Sequence, residues 1–136
     1  MNPLIHEIFQ KYRLLNKQLN QSLKEHQLFA SQWTVIFCVY QHGEMTLTDI
    51  WKYLNVEAPT ITRTVSRLKE LGWLEIVSGK DRRAKNVRLS QKAFEQLPEI
   101  IVSITQFEHE AMKNLTDEEQ AFLMKLLNKI NIEGSM

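Results

Sequence analysis

The segment PTITRTVSRLKELGWLEIVSGKDRRAKNVRLS, residues 59–90, decides the fold of this chain. Its first half has apolar residues at helical spacing, which predict one helix face packed on a core. These apolar residues are Ile61, Val65, Leu68 and Leu71. The residues on the other faces are polar or basic: Thr60, Thr62, Arg63, Ser66 and Arg67. The pattern therefore predicts an amphipathic helix that presents hydroxyl and guanidinium groups to solvent.

The second half of the segment predicts a hairpin with a charged tip. Gly72 ends the helix, and residues 73–77 alternate like a half-buried strand. Residues 80–85 form the charged tip, and residues 87–89 return as a second strand. Helix, strand, basic tip and strand, in this order, are the layout of a winged helix-turn-helix, in which one helix enters the DNA major groove and the tip reaches along the duplex.

Basic charge is concentrated in this part of the chain. The whole sequence has a formal net charge of +1, whereas residues 60–92 hold nine Lys or Arg and three Asp or Glu. A polyanion is therefore attracted to this segment and repelled elsewhere, as on a phosphate-binding surface. Lys and Arg on exposed helices and hairpins also serve solubility, but solubility does not account for the order of helix, strand, tip and strand.

Helix signals dominate before this segment. Apolar residues at three- and four-residue steps predict a first helix over about residues 3–25, and a second helix follows it. Thr46 and Asp49 match a capping box that opens a short third helix. Residues 55–58 then form the turn of the helix-turn-helix, and Pro59 suits the first position of the next helix.

Two further helices follow the segment. Ser90 is a candidate N-cap for a long helix, and Pro98 should kink this helix or start it afresh. Its predicted apolar face consists of Phe94, Leu97, Ile101, Ile104 and Phe107, flanked by Ile100 and Val102. Residues 116–119 match a second capping box, which opens a last helix that stops near Gly134. The apolar faces of the terminal helices exceed what a small core can cover, which favours a symmetric dimer.

Length and composition exclude several classes of protein. The 136 residues, 43% of them hydrophobic, suit one domain that is mainly α with a small β-hairpin. No apolar run approaches the roughly 18 residues that span a bilayer, and no signal peptide is recognisable, so we expect a soluble cytoplasmic protein with no membrane partner. Four scattered histidines and one cysteine form no metal-binding or catalytic motif. We therefore expect neither an enzyme nor a metal or other cofactor.

Four short motifs and one longer pattern carry a family resemblance. The motifs are QWTVI at residues 32–36, LTDI at 47–50, TITR at 60–63 and LKELG at 68–72. The longer pattern is DRRAKNVRLS at residues 81–90. With these in this order, the chain resembles the MarR (multiple antibiotic resistance regulator) family of bacterial transcription factors, whose wing pattern is D-x-R-x-x-x-V-x-L-[TS]. Phe29 and Ala93 depart from the Thr or Ser and the Gly that the family often has there.

The resemblance implies a homodimer that binds double-stranded DNA at a near-palindromic operator, usually as a repressor. Residues 1–136 then form a single MarR-type domain, with dimerisation helices at 1–28 and about 91–136 and the winged helix-turn-helix at about 31–90. Family members often bind small aromatic or anionic effectors in a crevice between the wing module and the dimer helices. Aromatic residues that could line such a crevice here are Tyr12, Phe29, Trp33, Tyr40 and Trp51, although such residues more often belong to a core, as we expect for Trp33.

The predicted recognition helix carries five candidate DNA contacts. Thr60 and Thr62 lie in its first turns, where hydroxyl and backbone N–H groups can meet phosphate. Arg63 can contact a phosphate or fork onto a guanine edge. Ser66 lies on the same exposed side, and Arg67 one turn after Arg63 either binds phosphate or pairs with the wing.

The predicted wing carries the remaining candidates. Asp81 is the alternative partner of Arg67 and would hold the wing against the helix. Arg83 is the candidate for minor-groove insertion, which favours narrow A·T-rich tracts because of their negative potential. We expect the other basic wing residues to attract DNA and to contact its phosphates; they are Lys80, Arg82 and Lys85.

Two other classes of function remain open from the sequence alone. Cys38 could make the protein a thiol-based redox sensor, but it lies between Phe37 and Val39 on a core-like helix, where cysteines are usually inert. A winged-helix module that binds only proteins is the second alternative. It is disfavoured because such a module needs no basic wing, and salt-dependent binding to random DNA separates it from a DNA-binding protein.

Overall fold

The computed structural model describes residues 1–78 and 85–132. These two ranges hold the following helices and strands in chain order: α1 (Pro3–Leu23), α2 (Ala30–His42), β1 (Met45–Thr46), α3 (Leu47–Leu54), α4 (Ala58–Glu70), β2 (Leu74–Ser78), β3 (Lys85–Leu89), α5 (Gln91–Met112) and α6 (Asp117–Lys129). A single 3₁₀ turn, Lys24–His26, lies between α1 and α2. The chain is mainly α with a small sheet, which confirms the predicted fold class.

Side-chain caps begin three helices where the sequence predicts them. The Thr46 hydroxyl accepts the Asp49 N–H at 3.0 Å and the Asp49 carboxylate accepts the Thr46 N–H at 3.2 Å, so α3 begins with a closed capping box. Thr116 and Glu119 form the same pair of hydrogen bonds at the start of α6, at 3.1 Å and 2.9 Å. Ser90 caps α5 through its hydroxyl. These caps satisfy N–H groups that have no acceptor within the helix.

Helix α2 begins without a hydroxyl at its N-cap. Phe29 stands there and offers no side-chain acceptor, but its own N–H donates to the Gln32 Oε1 at 3.0 Å. The Ala30 N–H donates to the Asn20 Oδ1 of α1 at 2.6 Å. An amide from the preceding helix therefore replaces the hydroxyl cap, and Gln32 has the structural role that its position predicts.

Helix α4 begins one residue earlier than the sequence predicts. Glu57 has an extended backbone and is the N-cap, so Ala58 is the first helical residue and Pro59 the second. Proline fits either position, because the first N–H groups of a helix have no intrahelical acceptor. Helix α3 ends at Asn55, whose φ of 56° is left-handed, a conformation that asparagine tolerates. The turn of the helix-turn-helix is therefore only residues 55–57.

The sheet has three antiparallel strands in the order β1-β3-β2, one more than the predicted hairpin. Residues Glu75 and Arg88 are directly opposite on β2 and β3, and Met45 of β1 pairs with Val87. Strand β1 is two residues long, so it is too short to show the alternation by which strands are recognised in a sequence. It attaches the hairpin to the start of α3.

The core lies where α2, α3, α4 and the sheet meet. Its fully buried side chains include Ile36 of α2, Ile50 of α3, Leu68 of α4 and Val87 of β3. Trp33 is 7% exposed and belongs to this core, as predicted. This packing fixes the direction of α4 and leaves its opposite side free.

The predicted apolar face of α5 is confirmed at Leu97 and Ile104 and is wrong at Phe94 and Ile101. The face that packs inward consists of Ala93, Leu97, Ile100 and Ser103, whereas Phe94 and Ile101 are 52% and 37% exposed. Helix α5 carries two overlapping apolar stripes, and helical spacing alone does not say which of them meets the core of the same chain. The helix also runs without interruption through Pro98, so it does not start afresh there.

Helix α6 packs differently from every other long helix. None of the residues of Asp117–Lys129 is buried, and its apolar side chains are open to solvent. It ends at Lys129 instead of near Gly134, and Gly134 lies outside the described residues. We name as the terminal surface the exposed apolar residues of α1 and α6: Leu4, Ile5, Phe9, Phe122, Leu123, Leu126 and Leu127. Among the described helices, none is both long enough and apolar enough to cross a membrane.

Candidate nucleic-acid interface

Helix α4 separates apolar and polar residues completely. Ile61, Val65 and Leu68 are at most 3% exposed and pack into the core. The five predicted contact residues all lie on the exposed side of the helix: Thr60, Thr62, Arg63, Ser66 and Arg67. Because the buried face holds the helix rigidly, the exposed face is a preorganised polar ridge of a size that fits a DNA major groove.

The two arginines of α4 differ in how far they are already engaged. Arg63 makes only a 3.5 Å contact to the Thr60 hydroxyl, and no carboxylate in the described part of the chain lies within ion-pair distance of it. Arg67 pairs with Glu70 at 3.1 Å, and both side chains are more than half exposed. An exposed pair of this kind contributes roughly 0–1 kcal/mol, so a phosphate can displace Glu70 from Arg67. Asp81, the other predicted partner, lies outside the described residues.

The hydroxyl groups of α4 are partly satisfied within the helix. The Thr62 hydroxyl donates to the Ala58 carbonyl at 3.0 Å, and the Thr64 hydroxyl donates to the Thr60 carbonyl at 2.9 Å. Each hydroxyl oxygen keeps lone pairs, but its proton is already used. The Thr60 hydroxyl proton is therefore better available for a phosphate oxygen than that of Thr62.

A charged network crosses the outer face of the sheet, and sequence analysis missed it. Arg88 donates to Glu75 at 3.0 Å and lies 3.8 Å from Glu44. The Asn86 amide donates to the same Glu44 at 3.1 Å. Strand pairing places Glu75 opposite Arg88, but Glu44 lies 42 residues from Asn86, and no local pattern indicates that approach. Arg88 therefore has two carboxylates beside it and is poorly suited to bind phosphate.

Most of the predicted wing contacts lie outside the described residues: Lys80, Asp81, Arg82 and Arg83. The strands on either side are described, and Ser78 of β2 pairs with Lys85 of β3. Lys85 is exposed at the start of β3. Strands β2 and β3 are therefore paired up to Ser78 and Lys85, and Lys85 is the one predicted basic wing residue that the structure describes.

The five aromatic residues predicted for an effector crevice do not line one cavity. Tyr12 and Phe29 line a groove of about 780 Å³ along α1, together with Arg13, Lys17 and Lys24. Trp33 lines a separate groove beside Phe37 and Ile104, and the residues around these two grooves do not include Tyr40 or Trp51. The first groove combines exposed aromatic rings with three basic side chains.

Cys38 has the surroundings of a structural cysteine. Its side chain is 2% exposed, and its Sγ lies 3.5 Å from the Met45 sulfur. Burial raises the pKa of the Cys38 thiol above its ordinary value. The reactive form of cysteine is the thiolate, so this environment suppresses reaction with oxidants at neutral pH.

Comparisons with known proteins point to one family. The model of the MarR family matches residues 28–85. The uncharacterized HTH-type transcriptional regulator YwoH of Bacillus subtilis is 44% identical over 117 residues, which are 86% of this chain and 85% of that protein.

Two solved structures of MarR from E. coli have the same fold. A cysteine-to-serine mutant complexed with operator DNA is 27% identical, with a TM-score of 0.88 over 94% of this chain and 93% of that chain. The wild-type apo form is also 27% identical, with a TM-score of 0.78 over 95% of this chain and 96% of that chain.

Proposed function

The chain belongs to the MarR family of transcriptional regulators, and we propose that it represses transcription as a homodimer bound to a near-palindromic DNA operator. The observation that carries the proposal is the amphipathic helix α4. It buries Ile61, Val65 and Leu68 in the core and exposes a polar and basic ridge. Since its target is DNA, the place of action that we propose is the cytoplasm.

The exposed residues of α4 have two roles in this proposal, contact with a base and contact with phosphates. Arg63 has no ionic partner among the described residues, so its guanidinium can fork onto the O6 and N7 atoms of a guanine. Thr60 and Ser66 offer hydroxyl groups to phosphates, which fix the helix in the groove, and Thr62 does so when its hydroxyl exchanges the Ala58 carbonyl for a phosphate. Arg67 exchanges Glu70 for a phosphate when the helix docks.

The wing adds contacts outside the major groove. We assign phosphate contacts to Lys80, Arg82 and Lys85 and minor-groove insertion to Arg83, and Asp81 positions the wing. Support comes from the charge of this segment and from the paired strands β2 and β3, which provide a firm base for the tip. The tip has few acidic residues to oppose a phosphate.

The terminal surface supports the homodimer. An exposed apolar face along α6 and the start of α1 is costly in water, and a second copy of the same chain covers both faces symmetrically. A two-fold dimer presents two α4 helices, which read half-sites about one helical turn, roughly 10 base pairs, apart.

The similarity to E. coli MarR supports the DNA-binding arrangement in particular. Over nearly the same share of the chain and at the same identity, the structure complexed with operator DNA is more similar to this chain than the apo structure is. The fold of this chain is therefore close to one that is found in complex with an operator.

We further propose that a small aromatic anion releases the protein from DNA. The groove beside Tyr12 and Phe29 supplies ring contacts, and Arg13, Lys17 and Lys24 supply positive charge. It runs along α1 to Phe29, the N-cap of α2, so a ligand there contacts a terminal helix next to the first helix of the DNA-binding module. Redox release through Cys38 is disfavoured, because burial raises the pKa of that thiol.

Selection of bound duplexes from a randomised pool tests the function. We expect enrichment of a near-palindrome that binds on the order of 10³-fold or more tightly than random DNA. Fluorescence anisotropy across a salt series then compares the wild type with Arg63→Ala and with Lys113→Ala, a matched loss of charge at the end of α5. Arg63→Ala should weaken binding and Lys113→Ala should not. Failure to bind any duplex in a salt-dependent way would instead favour a protein-binding module.

A further inference from the structure

The C-terminal end of α4 is joined to the first turn of α5 through three consecutive carbonyl groups. The Leu71 carbonyl accepts the Lys92 ammonium at 2.9 Å. The Gly72 carbonyl accepts the Ser90 hydroxyl at 2.5 Å, and the Trp73 carbonyl accepts the Ser90 N–H at 3.0 Å. We call these five residues the α4–α5 clasp. The N-cap of α5 and one residue of its first turn thus occupy the three carbonyl groups that follow α4.

Side-chain packing adds contacts between Lys92 and the turn at residues 72–73 to the hydrogen bonds of the clasp. The Lys92 ammonium lies 4.9 Å from the centroid of the Trp73 ring, and this tryptophan is only 4% exposed. Cation–π contacts of this geometry favour a fixed ammonium position. The Lys92 chain also covers Gly72, whose φ of +88° suits glycine, and a Cβ added there would lie 3.6 Å from the Lys92 Cδ.

Ser90 has two roles at one atom. Its hydroxyl oxygen accepts the Ala93 N–H at 3.1 Å and so caps α5, while its proton goes to the Gly72 carbonyl. The residue is 7% exposed, so water does not replace these bonds readily. The same hydroxyl group therefore caps α5 and binds the turn that follows α4.

We propose that Ser90 and Lys92 are positioning residues that fix the direction of α4 relative to α5 and thereby set the spacing of half-sites that the dimer accepts. The inference rests on the proposed function, in which α4 reads DNA and the terminal helices join two copies. In such a dimer the separation of the two α4 helices depends on the angle at which each is attached to its α5. The α4–α5 clasp links the turn at residues 71–73, which directly follows α4, to the N-cap and the first turn of α5.

Lys92 acts in this proposal without touching DNA. The proposed role is the contact of its ammonium with the Leu71 carbonyl and the Trp73 ring, which uses one of its three N–H donors. A phosphate contact and a positioning contact differ in one measurable property. Loss of a phosphate contact makes the salt dependence of binding shallower by about one unit, whereas loss of a positioning contact leaves that slope unchanged.

Lys92→Met is the variant that tests the positioning role of the Lys92 ammonium. Methionine keeps an unbranched apolar chain over Gly72 and Trp73 and removes the charge and the hydrogen bond. Lys92→Arg keeps a cation and a donor, and Lys113→Met removes an exposed lysine elsewhere on the chain as the matched control. Ser90→Thr keeps both hydrogen bonds of the hydroxyl, whereas Ser90→Ala removes them.

The experiment uses the duplex selected by the wild-type protein and two derivatives with one base pair inserted or removed between the half-sites. The wild type, Lys92→Arg, Ser90→Thr and Lys113→Met should all prefer the selected spacing to the same degree. Lys92→Met should lower this preference about threefold to tenfold, the scale of one exposed hydrogen bond, with an unchanged salt slope. Full spacing preference in Lys92→Met, or a slope that falls by about one unit, would overturn the proposal.

A second measurement does not depend on DNA. Spin labels at Lys69→Cys in a Cys38→Ala background report the distance between the two α4 helices of a dimer, because Lys69 is exposed on α4. The distance distribution should broaden in Lys92→Met and Ser90→Ala and stay narrow in Lys92→Arg. An equally narrow distribution in all variants would contradict the inference. Failure of the wild type to bind any duplex would contradict the proposed function and leave this distance test in force.

Discussion

Helices α4 and α6 show opposite relations between sequence and solvent. Both are 13 residues long, and both carry apolar residues at helical spacing. In α4 the apolar residues are buried and the exposed residues are polar or basic, whereas none of the residues of α6 is buried. The first surface is complete within one chain and suits a polyanion, and the second is incomplete until another apolar surface covers it. We therefore expect one surface to bind DNA and the other to bind a second copy of the chain.

Of the changes that test this comparison, removal of part of the terminal surface should have the largest effect. Deletion of residues 1–12 takes away the apolar start of α1, including Ile5 and Phe9, and leaves α6 without a partner. We expect aggregated or unfolded chain, because dimers of this kind rarely keep a stable monomer. Analytical ultracentrifugation with circular dichroism measures this outcome. A well-folded dimer after the deletion would contradict the terminal surface as the dimer interface, and a well-folded monomer would contradict the coupling of folding to dimerisation.

Within α4, the buried and exposed faces should respond differently to alanine. Leu68 is 0% exposed, so Leu68→Ala should lower the free energy of unfolding by about 2–5 kcal/mol through lost burial and a cavity. Ser66→Ala, on the exposed face, should change it by less than about 0.5 kcal/mol. Urea denaturation at one fixed protein concentration compares the two. Similar losses for both variants would mean that α4 packs in another orientation.

The exposed face of α4 should in turn control DNA sequence preference. Arg63→Ala should cost about 1–3 kcal/mol of binding free energy and relax the preference at one base position in each half-site. Competition between the selected operator and single-base variants measures both effects. A uniform loss across all bases would assign Arg63 to a phosphate and leave another residue to read the sequence.

Smaller effects should separate the residues of the wing. Lys85→Ala should weaken all duplexes alike and make the salt slope shallower by about one unit. Arg83→Ala should weaken operators with A·T-rich flanks more than those with G·C-rich flanks, since a narrow minor groove concentrates negative potential. Arg88→Ala is the matched control, because Glu75 and Glu44 already neutralise this arginine and its loss should leave the slope unchanged. Equal losses on both flanks for Arg83→Ala would leave the wing as an electrostatic anchor only.

Local patterns were sufficient to predict much of the fold. The capping boxes at Thr46 and Thr116 depend on residues three positions apart, and the buried face of α4 depends on three- and four-residue spacing. Both follow from contacts within one or two helical turns. The family resemblance added the wing pattern and the expectation of a near-palindromic operator, which helical spacing alone does not supply.

The features that sequence analysis missed depend on contacts between distant residues. Asn86 meets Glu44 across 42 residues, and Lys92 meets Leu71 across 21. Ile101 was wrongly assigned to the inward face of α5 because Ile100 and Ile101 are equally apolar neighbours, and only the folded chain decides which one is buried. Long-range packing selects among alternatives that local spacing leaves equal.

The central claim is that two copies of α4 read two halves of one operator. Hydroxyl-radical footprinting of the selected duplex, with the amount of bound protein measured in parallel, tests it most directly. We predict two equally protected regions whose centres lie about one helical turn, roughly 10 base pairs, apart and are related by two-fold symmetry, with two chains bound per duplex. Protection of a single half-site by one chain at saturation, or even protection along the whole duplex, would contradict it.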